Sequence, residues 1–154
     1  MLVYRICLAK YAEDLFASGR RARWNSKDRF VVYTAATRAL ACLENVVHRS
    51  GEGLNDQFRV LVIDIPDDLP IEEIKPAQLP VGWEKASSYS ICQPLGDAWY
   101  EHRKAAVLRV PSSIIPQESN YVLHTRHLDF KRIRIVAWEE FSFDNRIKAE
   151  EPEG

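Results

Sequence analysis

RARWNSKDRFVVYTAATRALACLE, residues 21–44, places a polar loop, an apolar strand and a helical segment in immediate succession. Arg23 and Trp24 stand on the loop, Tyr33 on the strand and Glu44 on the helix. Thr34 or Thr37 offers a hydroxyl to cap the helix, which the pattern carries over 36–49 until "SGEG" breaks it. At about 100° per residue, Ala36, Leu40, Leu43 and Val47 make one apolar stripe, with Glu44 at its border and His48 one turn further on. A border carboxylate is half withdrawn from water, where its interactions strengthen. From helix geometry alone the plainer reading of Glu44 is a surface glutamate paired with a local arginine. Arg23 and Trp24 likewise read as an arginine on an indole or a loop tucked against the core, and Tyr33 as one more strand aromatic.

Around this stretch, strands outnumber helices and do not alternate with them. "LVYRICL" (2–8) and "FRVLVIDI" (58–65) are rich in apolar and β-branched residues and predict strands, as do "FVVYTA", "AVLRV", "YVL" and "RIRIVAW". Helices are expected over 10–18, ended by Gly19, and over 93–106. The proline-bearing stretch 67–81 reads as irregular with at most a helical turn at "IEEI", and "PSSIIPQESN" as loop or edge structure. The pattern predicts a single mixed α+β domain with a central sheet over 1–147, and a charged, disordered tail over 148–154.

A chain of 154 residues suffices for one sizeable core. A formal charge of −1 lacks the basic excess of a non-specific nucleic-acid binder, so no direct DNA binding is expected. Cys7, Cys42 and Cys92 are odd in number, far apart and set among apolar neighbours, which suggests buried thiols in a reducing cytoplasm. No apolar run reaches the roughly 18 residues of a membrane span, and a cytoplasmic protein is expected.

Common catalytic signatures fail. The six glycines assemble neither a dinucleotide fingerprint nor a P-loop, and no GxSxG elbow occurs. His124, His127 and Asp129 lack further ligand partners in sequence, and surface histidines are the better reading; no metal is expected. A triad of Ser112, His124 and Asp129 rests only on the presence of those residue types.

Read together, the blocks "RARWN", "VVYTA" and "ALACLENVVH" resemble the N-terminal half of a RES domain, and "LPVGW", "GDAWY", "AVLRVPSSIIPQESNYVL" and "HLDF" resemble its later blocks in the same order. The likeness runs from about Tyr4 to Arg146. One departure is "SGRRARWN", where the family often has small, glycine-rich residues. The resemblance implies a fold like that of ADP-ribosyltransferase toxins, with NAD⁺ as substrate rather than cofactor. It also implies the role of toxin in a toxin–antitoxin pair, with an Xre-type helix-turn-helix antitoxin as partner. Motif by motif it makes Arg23, Tyr33 and Glu44 the catalytic positions. Trp24, His48, Ser112 and Asn120 join Arg23 and Tyr33 as substrate-binding positions.

That chemistry suits these residue types. Leaving nicotinamide puts an oxocarbenium-like cation on the ribose. A guanidinium at Arg23 can grip pyrophosphate, Tyr33 can hold the nicotinamide ring, and Glu44 can stabilise the cation. Ser112 would orient a phosphate or ribose oxygen. Three acceptors suit this chemistry: water, which gives hydrolysis, inorganic phosphate and a protein side chain. Arg20 and Arg21 could recruit phosphate or face the antitoxin. A protein ADP-ribosyltransferase and an inactive module acting through its partner are the alternatives.

Overall fold

The computed structural model describes residues 1–48 and 57–147. Seven strands form one sheet: β1 (Leu2–Leu8), β2 (Val31–Ala35), β3 (Phe58–Asp64), β4 (Ile71–Glu73), β5 (Val107–Pro111), β6 (Ser119–His124) and β7 (Arg134–Phe141). Two α-helices, α1 (Arg38–His48) and α2 (Tyr89–His102), accompany them. The strand order is β4-β5-β6-β2-β1-β3-β7, antiparallel throughout except for β4 beside β5. The mixed α+β architecture expected from the sequence is the observed one.

The sheet is continuous in two halves and nearly parted between them. β1 pairs with β3 along its whole length, Leu2 with Asp64 through Leu8 with Phe58. β2 pairs equally fully with β6. Between β1 and β2 the register holds at one pair alone, Tyr4 with Ala35. Tyr33 packs with the cluster under α2 (Cys92, Trp99, Leu108, Val122), and Ala35 with the cluster under α1 (Leu40, Ala41, Ile6, Val60). Side chains two apart on a strand share a face, so both helices cover one side of the sheet. The other side is closed by Ala12, Leu69 and Ile133, buried against Val3, Val32, Ile63 and Leu123.

Several expectations are corrected. Residues 10–18 form no α-helix: a 3-10 turn at Ala9–Tyr11 is followed by an irregular run. In that run Leu15 and Ala17 are partly buried and Phe16 is 72% exposed, an alternation that serves the sheet better than a helix would. Gly19 caps no helix, but its φ of +78° closes the loop that ends with Asp28 N–H donating to the Gly19 carbonyl. "IEEI" is strand β4, because parallel pairing satisfies the open edge of β5 and three residues are too few to nucleate a helix. α2 begins four residues earlier than expected, runs through Pro94, and ends where Arg103 turns left-handed at φ 53°, freeing Ala105 and Ala106 for the core. The expected helix end at Arg49, the "SGEG" break and the charged tail lie outside the described residues.

Candidate active site

Where β1 and β2 part, a cavity of about 400 Å³ opens, lined by Tyr4, Arg5 and Ile6 from one strand and Tyr33, Thr34 and Ala35 from the other. α1 forms a further wall with Ala41, Glu44, Asn45 and His48, and the loop before β2 another with Arg21 to Trp24. α1 sits there because Thr37, not Thr34, caps it: the Thr37 hydroxyl accepts from Leu40 N–H at 3.1 Å, while Thr34 donates to the Tyr121 carbonyl. The buried face of the helix is Leu40 and Ala41; Leu43 and Val47 are 36% and 55% exposed. The expected apolar stripe is thus rotated, and Glu44 faces the cavity rather than bordering the core.

Glu44 has no arginine partner among the described residues. Its Oε1 accepts from Asn120 Nδ2 at 2.7 Å and from Ser112 Oγ at 2.8 Å. Its Oε2 lies 3.2 Å from His48 Nε2. Burial pushes the carboxyl up, but hydrogen bonds from His48, Asn120 and Ser112 outweigh that and hold it below the usual glutamate value. The group is an oriented, ionised carboxylate.

Ser112 is fully buried and stands behind Glu44, off the cavity wall. Its Oγ donates to Glu44 and accepts from the amides of Ile114 and Ile115, both at 3.1 Å. A hydroxyl so engaged cannot orient a phosphate or ribose oxygen, and that expectation is replaced by one of holding Glu44. Asn120 does line the cavity, and its Oδ1 is buried without a donor among the described residues.

Arg23 differs from expectation too. It is 8% exposed, and its Nη1 and Nη2 donate to the Trp83, Glu84 and Lys85 carbonyls at 2.8–3.2 Å. Its guanidinium lies 4.9 Å from the Tyr89 ring centre, so the stacking partner is a tyrosine rather than Trp24. Those nitrogens knit the loop to the 83–85 turn while leaving their positive charge at the cavity wall. Trp24 is the tucked residue, 3% exposed and packed on Trp83. Tyr33 donates to Asn25 Oδ1 and accepts from Trp24 N–H, which leaves its ring as the part offered to the cavity.

Sequence reading misses one cation here, Arg5, and leaves the role of another, Arg21, open. Arg5 lines the cavity, half-hidden, with one hydrogen bond, to the Tyr33 carbonyl at 3.1 Å. Arg21 is exposed at the rim, 5.7 Å from the Tyr89 ring centre. Neither has a carboxylate partner among the described residues. "YRI" looked like any strand; only the parting of β1 from β2 uncovers Arg5. Three guanidiniums and one carboxylate therefore surround the cavity, an arrangement suited to an anionic ligand carrying a centre that turns cationic.

The triad reading is excluded by placement. His124 is fully buried, not at the surface: Nε2 contacts the Tyr100 carbonyl at 2.9 Å, Nδ1 accepts from Arg126 N–H, and the ring stacks on Tyr100. Ser112 serves Glu44 instead. No group of three candidate ligands for a metal occurs among the described residues. None of the three cysteines forms a disulfide; Cys92 is buried, Cys7 and Cys42 partly so. No described helix is long and apolar enough to cross a membrane.

The geometry has relatives. A Sphingobium protein called "Prs ADP-ribosylating toxin" is 35% identical over 141 residues, covering 88% of each chain. "Toxin Res" of Photorhabdus laumondii is 34% identical over 153 residues, covering 96% of this chain and 97% of that one. The toxin of the M. tuberculosis MbcT–MbcA toxin–antitoxin complex shares the fold, with a TM-score of 0.74 at 18% identity over 92% of this chain and 84% of that one. The model of the RES domain matches residues 2–144, the sheet, both helices and every wall of the cavity included, and the chain belongs to the RES domain family.

Proposed function

We propose that this protein is a toxin that cleaves the bond between nicotinamide and ribose in NAD⁺, depleting it by hydrolysis or phosphorolysis. The observation that carries the reading is Glu44: an ionised carboxylate, fixed by three donors, on the wall of a cavity ringed by Arg5, Arg21 and Arg23. The pyrophosphate of NAD⁺ needs cations, and Arg21 and the nitrogens of Arg5 not bonded to the Tyr33 carbonyl supply guanidinium donors while Arg23 adds charge and shape. The ring of Tyr33 supports the departing nicotinamide. Asn120 Oδ1, without a donor among the described residues, accepts from a ribose hydroxyl or the carboxamide. Glu44 then stands against the ribose as its C1′ becomes cationic, and nicotinamide leaves as a neutral base with the bonding electrons. No cofactor takes part.

A second reading is transfer of ADP-ribose to a protein, favoured by the name of the 35% identical Sphingobium relative. The two share every step up to the choice of acceptor. An antitoxin that covers the cavity is the expected partner, in line with the toxin–antitoxin complex of the MbcT neighbour; an Xre-type helix-turn-helix protein is the proposed class. The cytoplasm, where NAD⁺ is held, is the proposed location.

The test is incubation of the purified chain with NAD⁺, following nicotinamide release, with and without cell lysate. Glu44→Gln should lower the rate by about 10²-fold or more with an unchanged melting temperature. Turnover by that variant at the parental rate would refute the assignment. Labelled protein bands with little free ADP-ribose would favour the second reading.

A further inference from the structure

Glu44 is held on both oxygens, and the group on Oε2 is a second candidate for chemistry. We infer that His48 is the general base that removes the proton from a water or hydroxyl acceptor as it attacks the ribose. This rests on the nicotinamide–ribose cleavage proposed above.

His48 closes α1 and borders the cavity with its side chain 48% exposed, so it is reachable both from the cavity and from solvent. Its Nε2 lies 3.2 Å from Glu44 Oε2, and the carboxylate's negative charge favours a proton on that nitrogen. That contact selects the tautomer of the neutral ring whose lone pair lies on Nδ1. Among the described residues nothing pairs with this Nδ1. His124 and His127 differ, for both ring nitrogens of each are occupied: His124 by Tyr100 and Arg126, His127 by Arg103 and Asp129. Glu44 itself is a poor proton acceptor, since it already takes three hydrogen bonds and its charge is needed against the ribose.

In the step, the acceptor oxygen bonds to C1′ as the C1′–nitrogen bond to nicotinamide breaks. The bonding electrons leave with nicotinamide, and the acceptor proton passes to His48 Nδ1. Glu44 stabilises the resulting imidazolium, which loses its proton to solvent through the exposed edge of the ring. An anionic acceptor such as inorganic phosphate or azide attacks without losing a proton and needs no base. The acceptor's own acidity therefore separates this role from mere support of Glu44.

The experiment compares the full-length chain with His48→Asn and His48→Gln, using NAD⁺ with water alone, with methanol, and with phosphate or azide. Nicotinamide release and the ADP-ribosyl products are quantified separately, and melting temperature verifies folding. The His48 variants are expected to lose about 10²-fold more rate with water and methanol than with the anions, beyond any loss common to all acceptors from the freed Glu44 oxygen. Ser112→Ala, which loosens Glu44, should depress all acceptors alike. If the His48 variants lose activity equally with every acceptor, or lose none with water, the base role is overturned. If the parent chain releases no nicotinamide, the cleavage reading falls, and this inference with it.

Discussion

The charged side chains around the cavity differ in what their nitrogens and oxygens are free to do. Arg23 has its two terminal nitrogens on three carbonyls and is 8% exposed; Arg21, two positions earlier, is exposed with a ring contact alone. Their alanine variants should therefore part company. Arg23→Ala strands buried carbonyls and is expected to cost about 2–4 kcal/mol of stability, read by urea unfolding. Arg21→Ala should leave stability within about 0.5 kcal/mol and raise KM for NAD⁺ several-fold with kcat little changed. Equal effects of the two on stability would contradict the division of labour. His124 offers a test away from the site. Burial holds its imidazole down to about 4 from 6.5, so it is neutral in the fold. Being depressed, it contributes stability that is complete above pH 6.5 and is lost as the pH falls toward 4. Urea unfolding should show a decline on the order of 3 kcal/mol across that window, and His124→Gln should flatten it.

At the scale of elements, the loop 19–28 owes its shape to α2. Gln93 Nε2 donates to the Ala22 carbonyl at 2.8 Å, and Asp97 Oδ1 accepts from Ser26 N–H at 2.9 Å. Between them Gly96 lets the helix touch the loop backbone: a Cβ there would stand 1.7 Å from the Trp24 carbonyl oxygen. Gly96→Ala should push loop and helix apart, costing on the order of 3 kcal/mol and displacing Arg21 and Arg23 from the cavity. Loss of NAD⁺ binding in a variant that still folds would show as a raised KM; a parental melting curve would speak against the contact. Much of this was hidden in the sequence. "GDAWY" marks a helix, but nothing in its spacing says that the glycine meets a loop more than seventy residues earlier. Six of the seven strands, by contrast, were legible to within about three residues, because apolar and β-branched runs bounded by prolines and glycines encode them locally, whereas the three residues of β4 carry no such run.

For the molecule as a whole, the parting of β1 from β2 makes the site. One paired position, Tyr4 with Ala35, joins the two half-sheets through the backbone, and the cavity fills the gap beyond it. Both helices lie on one side of the sheet, so α1 brings Glu44 and His48, and α2 steadies the arginine loop, around the same opening. Ser112 and Asn120 arrive from the β5–β6 hairpin on the far half, and at the Glu44 carboxylate their side chains meet one from α1.

The sequence by itself determined the α+β class, six of the seven strands and the family, and it singled out Arg23, Tyr33, Glu44 and Asn120, which line the cavity, since local pattern and ordered motif blocks carry that information. Tertiary structure alone decided that Arg23 braces a turn, that Ser112 holds Glu44 from behind, and that Arg5 and Arg21 are the guanidiniums left open. The physical reason is common to all three. A side chain's role depends on which of its polar atoms the fold has already satisfied, and those partners lie sixty residues or more away for Arg23 and Ser112. No periodicity along the chain reports a hydrogen bond made across it.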